Sequence, residues 1–205
     1  ISSASVTVFA GEVRISPFTC TRPSSIQRSA SRREHKPARA IRFAIRSPFW
    51  FSSVMETELI YMQRALEEAK AAASRDEVPI GAVLVHTGTG EIAAAAGNRT
   101  RELCDPSAHA EMLVIRAACQ KEGAQRIPDY DLYVTLEPCA MCAAAISFAR
   151  IRRLVIGAPD PKGGGILHGG KFYEQPTCHW KPQVVDGVVA EQSAEILREF
   201  FKNRR

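Results

Sequence analysis

The stretch LYVTLEPCAMCAAAISFARIRRLVIGA, residues 132–158, decides the fold. Residues 132–136 are rich in β-branched and aromatic side chains, which predicts a strand. Residues 139–150 are rich in alanine and predict a helix, and residues 153–158 form a short apolar run typical of a buried strand. Strands alternating with a helix in this way indicate an α/β domain.

The flanking sequence continues this alternation. The elements predicted there, in chain order, are a helix from Met55 to about Ser74, strands at 80–86 and 91–96 joined as a hairpin, a helix at 108–122 and a helix at 190–202. A glycine-rich loop at 161–170 and an irregular stretch precede the last helix. We therefore predict a three-layer α/β/α sandwich whose helices cover a mixed sheet.

The chain divides at Met55 by composition. Residues 1–54 hold nine lysines and arginines, two acidic residues and eleven serines, whereas residues 55–205 hold eighteen basic and twenty acidic residues. We predict that residues 1–54 form a basic extension outside the fold, disordered or translated upstream of the true start, and that residues 55–205 form the domain. A transit peptide and a basic arm that binds nucleic acid are the alternatives for the extension.

The composition also excludes several classes of protein. The chain has no run of 18 apolar residues, so we predict no transmembrane helix and no membrane partner, and we expect a cytoplasmic protein. An organellar location is the alternative if residues 1–54 are a transit peptide. The chain has six cysteines, too few for a small disulfide-rich scaffold of this length, and two of them are spaced as C-x-x-C.

Two short motifs carry the chemistry. His109-Ala110-Glu111 lies at the start of one predicted helix, and Pro138-Cys139-Ala140-Met141-Cys142 lies where a strand meets the next helix. A catalytic zinc ion takes three nitrogen or sulfur ligands and keeps a fourth position open. His109, Cys139 and Cys142 supply that set, because cysteines three residues apart on a first helical turn face the same side.

Glu111 is the predicted catalytic residue. It lies two residues from His109, close enough to exchange a proton with a water on the ion without being a ligand. This combination, H-x-E with P-C-x-x-C, is the signature of zinc nucleobase deaminases. The alternatives are a redox pair of Cys139 and Cys142, or a structural zinc with a fourth ligand among Cys104, Cys119, Cys178, His168 and His179.

Several further stretches resemble the bacterial tRNA-specific adenosine deaminase family. They are PIGAV at 79–83, GNR at 97–99, DPSAHAE at 105–111, LEPCAMC at 136–142, GAPDPK at 157–162 and FFKNRR at 200–205. The resemblance spans residues 55–205 and does not include the extension. The loop after Lys162 is richer in glycine than we expect for that family.

The resemblance implies a cytidine-deaminase-like fold, a homodimer, one Zn²⁺ per subunit and conversion of adenosine to inosine at the wobble position of a tRNA. It further implies that Asn98 binds the target base and that Asp160 lies in a substrate loop. The partner would be the anticodon stem-loop of the tRNA. Deamination of a free base such as guanine or cytosine is the alternative activity, and a non-catalytic, zinc-containing RNA-binding subunit is the alternative from another class.

Charge bears on the RNA substrate, since phosphate contacts require lysine and arginine. Residues 55–149 carry a net charge of −6 and residues 150–205 a net charge of +4, so the basic surplus is C-terminal. Lys202, Arg204 and Arg205 beside Phe200 and Phe201 are better candidates for RNA contact than Arg152 and Arg153, because aromatic rings can also stack on bases.

Overall fold

We describe the fold from a computed structural model that describes residues 8–9, 12–13, 48–202 and 204. The chain separates into two compact units, Ile1–Ala44 and Ile45–Arg205. In the first unit, strands β1 (Val8–Phe9) and β2 (Glu12–Val13) form an antiparallel pair. Most of the predicted extension lies outside the described residues, so its disorder and the boundary at Met55 stay predictions.

The second unit holds four helices and five strands within the described residues. They are α1 (Pro48–Ser74), β3 (Gly81–His86), β4 (Ile92–Gly97), α2 (Ala110–Glu122), β5 (Tyr130–Leu136), α3 (Ala140–Ala149), β6 (Arg153–Ala158), β7 (Gln183–Val185) and α4 (Ala190–Lys202). A 3₁₀ turn at Phe172–Glu174 precedes β7. The predicted α/β/α sandwich with a mixed sheet is confirmed. The sequence reading missed β7 and began α1 seven residues late.

The sheet has the strand order β4-β3-β5-β6-β7. Strand β3 runs antiparallel to both β4 and β5, whereas β5, β6 and β7 are parallel. Leu136 pairs with Ala158 at the carboxyl ends of β5 and β6, and Gly97 pairs with Gly81 where β4 ends and β3 begins. These directions bring the residues that follow β4, β5 and β6 to one edge of the sheet, which we call the site edge.

Alternate strand residues face the two helical layers. Ala82, Leu84, Leu132, Val134, Leu154 and Ile156 belong to a core cluster shared with α2 and α3. Val83, Val85, Tyr133 and Val155 belong to a second cluster shared with α1. Helices α1 and α4 therefore cover one face and α2 and α3 the other, as the period-two alternation of strand side chains requires.

No helix in the described part of the chain has both the length and the hydropathy needed to cross a bilayer. This agrees with the absence of a long apolar run in the sequence.

Helix α1 packs directly on the backbone of β3 and β4. A Cβ atom added at Gly81 would collide with Ala65 O and lie 2.6 Å from Ala69 N, both backbone atoms of α1. A Cβ atom at Gly97 would lie 2.5 Å from Glu68 O. Glycine at these two positions allows the helix to approach the sheet more closely than any side chain would permit.

This packing predicts that Gly81→Ala lowers the free energy of unfolding by about 1–3 kcal/mol, the usual cost of overpacking a core. Gly170→Ala is the matched control, because a Cβ atom there would meet nothing within 4 Å. Urea unfolding of the full chain measures both variants. Equal urea midpoints for the two variants would contradict the close packing of α1 on the sheet.

Candidate active site

Two helices begin at the site edge with a residue of the predicted metal set. His109 is the N-cap of α2 and Cys139 is the N-cap of α3, and both have extended backbone conformations (ψ 152° and ψ 172°). Neither side chain caps its own helix. Both side chains are therefore available as ligands, and the partial positive charge at the two helix N-termini favours thiolates there.

The structure brings His109, Cys139 and Cys142 together, and we call this group the metal triad. His109 Nδ1 lies 3.7 Å from Cys139 Sγ and 3.5 Å from Cys142 Sγ. Ligands on one tetrahedral zinc, with Zn–N near 2.0 Å and Zn–S near 2.3 Å, lie about 3.6 Å apart. The three donor atoms all lie within 4.8 Å of one another, so the side chains present fit one zinc ion.

The two thiols of the triad affect each other's protonation. The hydrogen bond from Cys142 lowers the pKa of Cys139 to about 4, against the effect of burial and with the help of His109. The same hydrogen bond and burial raise the pKa of Cys142, because its thiolate would lie beside another. Two thiolates at this spacing need a cation between them, and zinc supplies that charge.

Glu111 lies in the first turn of α2 and is 3 % exposed. Its Oε2 atom is buried and has no hydrogen-bond partner among the described residues. Burial raises the pKa of this carboxyl, and the charge of His109 opposes the rise only in part. A buried carboxyl oxygen without a partner requires a ligand or a water to complete it. The structure thus places the predicted catalytic residue beside the triad with one free oxygen.

Asn98 follows β4 and is 3 % exposed. Its Oδ1 accepts a hydrogen bond from Ala110 N at 2.9 Å, the first residue of α2. Asn98 therefore caps α2 in place of the N-cap residue His109, whose side chain belongs to the triad. This leaves the side-chain amide nitrogen of Asn98 as the group that can donate to a base. Its role in binding a base stays a prediction.

Asp160 lies just beyond β6 at the same edge. Its Oδ1 accepts hydrogen bonds from Lys162 N and Gly163 N, both at 3.0 Å, which fixes the side chain in a turn. It also lines a cleft of about 640 Å³ that does not include the triad. The remaining residues of this cleft are Val78, Ile80, Leu136, Lys162, Gly163, Leu197, Phe201 and Arg204.

The other cysteines and histidines that the structure describes do not join the triad. Cys104 is exposed, Cys119 packs against the core, and Cys178 donates to Trp180 O at 3.1 Å. His168 Nδ1 is hydrogen-bonded to Glu137 Oε2 at 2.7 Å, and His179 is exposed. The described part of the chain therefore offers three protein ligands to a metal, which leaves a fourth position open.

Two buried carboxylates organise the loops of the site edge, and sequence reasoning gave neither of them a role. Glu77 accepts hydrogen bonds from Arg101 N at 2.8 Å and Glu102 N at 2.9 Å, in the loop before His109. Burial alone would raise the pKa of Glu77, but these bonds and one from Thr100 lower it. Glu137 holds the loop after Asp160. The one available signal, for Glu137 alone, was an acidic residue between Leu136 and Pro138.

The basic residues of the C-terminal half divide into two groups. Arg152 and Arg153 bind Asp131, at 2.6 Å and 3.0 Å, at the start of β5 and away from the site edge. Phe201 is 48 % exposed and lines the cleft beside Asp160, together with Arg204. Arg204 also forms an ion pair, with Asp76, and stacks on the Phe200 ring. Arg205 lies outside the described residues, and RNA contact by the C-terminal group stays a prediction.

The comparison with known families agrees with this geometry. Residues 55–158 match the model for the cytidine and deoxycytidylate deaminase zinc-binding region. The chain belongs to this deaminase family. The zinc expected from the sequence agrees with the family description and with the triad.

Curated relatives and solved structures place the chain more closely. It is 61 % identical over 145 residues to the tRNA-specific adenosine deaminase of Agrobacterium fabrum, covering 71 % of this chain and 94 % of that one. It is 43 % identical over 151 residues to the corresponding Bacillus subtilis protein, covering 74 % and 92 %. A solved structure from a study of tRNA:A34 deaminases matches with a TM-score of 0.66 and 61 % identity, over 67 % of this chain and 99 % of that chain.

A more distant structure shares the fold alone. The guanine deaminase of Nitrosomonas europaea is 20 % identical, with a TM-score of 0.59, over 81 % of this chain and 98 % of that chain. Members of the same fold therefore act on different bases, and the fold does not by itself define the substrate.

The triad predicts that Cys139→Ala loses the metal and part of the stability together, because one thiolate ligand is missing and the remaining buried donors are unpaired. Cys104→Ala is the matched control, since Cys104 is exposed and outside the triad. Zinc content of the purified full chain and its melting temperature, before and after chelation, provide the measurement. A Cys139→Ala protein with a full complement of zinc and normal stability would rule out Cys139 as a ligand.

Proposed function

We propose that this protein is a zinc-dependent deaminase that converts adenosine to inosine at the wobble position of a tRNA anticodon. His109, Cys139 and Cys142 bind the zinc, and Glu111 carries the proton. The free, buried Oε2 of Glu111 next to the triad is the observation that carries this proposal, because it supplies a proton carrier that a structural zinc site would not need. The similarity to tRNA-specific adenosine deaminases supports the choice of substrate.

Zinc bound to the triad supplies Lewis-acid activation of a water molecule at neutral pH. The reaction adds water at C6 of adenine and releases ammonia. Glu111 takes up a proton from the attacking water at Oε2 and delivers it to the departing amine.

Asn98 would orient the base. Its Oδ1 is held by Ala110 N, so its amide nitrogen has a fixed direction from which to donate to a ring acceptor. The hydrogen bond to Ala110 also ties this donor to the helix that carries His109 and Glu111. The base and the proton carrier are thereby positioned by the same helix end.

The cleft beside Asp160 supports a substrate larger than one base. Lys162 brings positive charge to it, Phe201 brings an exposed ring, and Arg204 lines it while paired with Asp76. Cations next to an aromatic ring suit a single-stranded segment, in which phosphates pair with the cations and bases stack on the ring. A loop also presents its bases unpaired, which lowers the cost of extruding one of them. We therefore propose the anticodon stem-loop as the partner.

The decisive assay uses the full chain with zinc and an anticodon stem-loop RNA that carries a wobble adenosine. Inosine is detected by mass spectrometry after digestion, with free adenine, guanine and cytosine tested in parallel. Inosine from the stem-loop alone supports the proposal. Turnover of a free base alone would move the protein to base salvage, and zinc binding without any turnover would indicate a non-catalytic subunit.

In this assay we expect Glu111→Gln to lower kcat by about 10³-fold or more, because the proton carrier is removed. Zinc content should remain at one per chain, since Glu111 is not in the triad. Glu122→Gln on the same helix is the matched control. It lies at the far end of α2, where it accepts a hydrogen bond from Tyr130, and should keep wild-type activity. Substantial turnover by Glu111→Gln would contradict the mechanism.

We further propose that the protein is a homodimer in the cytoplasm. Met141 and Phe148 lie seven residues apart on α3 and are 38 % and 72 % exposed, so the helix that carries two ligands of the triad also presents an apolar face. Burial of this face against a second copy would remove it from water. Cell fractionation tests the location.

If α3 forms the dimer contact, Phe148→Asp should convert the dimer to a monomer, because two charges would be buried at a symmetric interface. Ile60→Asp is the control, since Ile60 is 64 % exposed on α1 and lies outside this face. Sedimentation velocity of the full chain distinguishes the two species. A monomeric wild type, or a dimer that tolerates Phe148→Asp, would contradict the proposed contact.

A further inference from the structure

The side chain of Glu137 is completely buried between the end of β5 and Cys139, the triad residue at the start of α3. Leu136 ends the strand, and Pro138 and Cys139 follow Glu137 directly. A buried carboxylate is costly unless it is fully hydrogen-bonded. Here the donors all come from one segment, residues 160–168, which we call the glycine loop.

The two carboxylate oxygens of Glu137 bind different parts of the glycine loop. Oε1 accepts from three successive backbone amides, those of Ile166 at 3.1 Å, Leu167 at 2.8 Å and His168 at 2.9 Å. Oε2 accepts from Asp160 N at 3.0 Å and is hydrogen-bonded to His168 Nδ1 at 2.7 Å. Burial alone would raise the pKa of Glu137, but the bonds from Asp160 and His168 outweigh it and lower that pKa to about 2.

The glycines allow this arrangement. A Cβ atom at Gly164 would collide with Glu137 Oε1, and one at Gly165 would lie 2.5 Å from Ala140 N, the first residue of α3. Gly165 N also donates to Pro138 O at 2.9 Å. The backbone of the loop therefore rests directly on the chain that leads into the triad, and any side chain at these two positions would lift it away.

We propose that Glu137 is a positioning residue that holds the glycine loop against the amino end of α3, so that the triad and the substrate-side residue Asp160 keep one relative arrangement. Oε2 fixes the beginning of the loop at Asp160 and also binds the His168 ring, and Oε1 fixes the end of the loop through the backbone amides of residues 166–168. Glu137 touches neither the metal nor the substrate. The part of this proposal that concerns substrate binding rests on the function proposed above.

Glu137→Gln separates the two halves of this network. If the amide oxygen takes the place of Oε1, it keeps the three bonds from residues 166–168, and the amide nitrogen then faces Asp160 N–H, a donor against a donor. The opposite orientation would set the nitrogen against three donors and is therefore disfavoured. The same amide nitrogen faces the His168 ring, whose Nδ1 can accept a hydrogen bond in one tautomer. The variant should therefore release Asp160 while the backbone amides of residues 166–168 stay bound.

Asp131→Asn is the matched control. Asp131 is also a buried carboxylate on the same sheet strand, about 20 Å away at the other end of β5, where it binds Arg152 and Arg153. Asp131→Asn should also lower the free energy of unfolding, because a buried charged acceptor is lost. It should leave the site edge unchanged. The experiment compares the zinc-loaded full chain and both variants by backbone amide exchange in residue-resolved NMR, by zinc content and by steady-state kinetics on the stem-loop RNA.

For Glu137→Gln we expect the Asp160 amide to exchange at least about 10-fold faster, the scale of losing one hydrogen bond to a charged group. The amides of residues 166–168 should change much less, and zinc should stay at one per chain. KM for the stem-loop should rise by a similar factor while kcat stays within about threefold, because the loop contacts the bound RNA and not the reacting atoms. Asp131→Asn should show none of these changes.

Unchanged exchange at Asp160 in Glu137→Gln would overturn the proposal, as would the same exchange pattern in Asp131→Asn, which would indicate general loosening. Faster exchange at Asp160 with an unchanged KM would overturn the part of the proposal that concerns substrate binding. Faster exchange in a protein whose wild type turns over no RNA would support the positioning role of Glu137 while contradicting the proposed function. The exchange measurement thus separates failure of this inference from failure of the deaminase assignment.

Discussion

A histidine nitrogen held 3.7 Å and 3.5 Å from two cysteine sulfurs imposes the main constraint on this molecule. Such a group is stable with both thiols ionised only when a cation lies among the three donors. To bring them together, the chain directs two helix N-termini at one point beyond the carboxyl ends of parallel strands β5 and β6. The strand order and the crossover through α3 bring the two helix starts to that point.

Using N-cap residues as ligands has a structural consequence. An N-cap side chain normally accepts a backbone N–H of its own helix, but His109 and Cys139 do not. For α2 the acceptor is supplied from outside, by Asn98 Oδ1. For α3 the first turn is covered by the backbone of Gly165. Asn98 therefore stabilises a helix end that a triad ligand leaves uncapped, and Gly165 packs closely against the start of the other helix.

The sequence was sufficient for the parts of the site whose chemistry is local. The spacing of His109, Cys139 and Cys142 predicts a ligand set because each of the two motifs opens a helix. The structure brings the three side chains together. Strand β7 was missed because it is three residues long and forms its backbone hydrogen bonds with β6. The role of Glu137 was hidden for a similar reason, since its donors lie 23 to 31 residues further along the chain. Pairings of this kind are decided by tertiary structure and leave no periodic signal.

Tertiary structure also decides what the basic residues contact. By composition, Arg152, Arg153 and Arg204 are equally available to RNA, and only the fold shows that the first two bind Asp131 and that Arg204 pairs with Asp76. A negatively charged domain can still offer a local positive rim if some arginines are neutralised by internal carboxylates and others are placed at a cleft. Lys162 lines the cleft in this way, beside the exposed Phe201, whereas Arg204 lines it while paired with Asp76. Recognition of an RNA loop by this protein would therefore depend on where a few cations lie along the site edge and not on the net charge, and the rigidity of the loop after Asp160 determines how well that placement is kept.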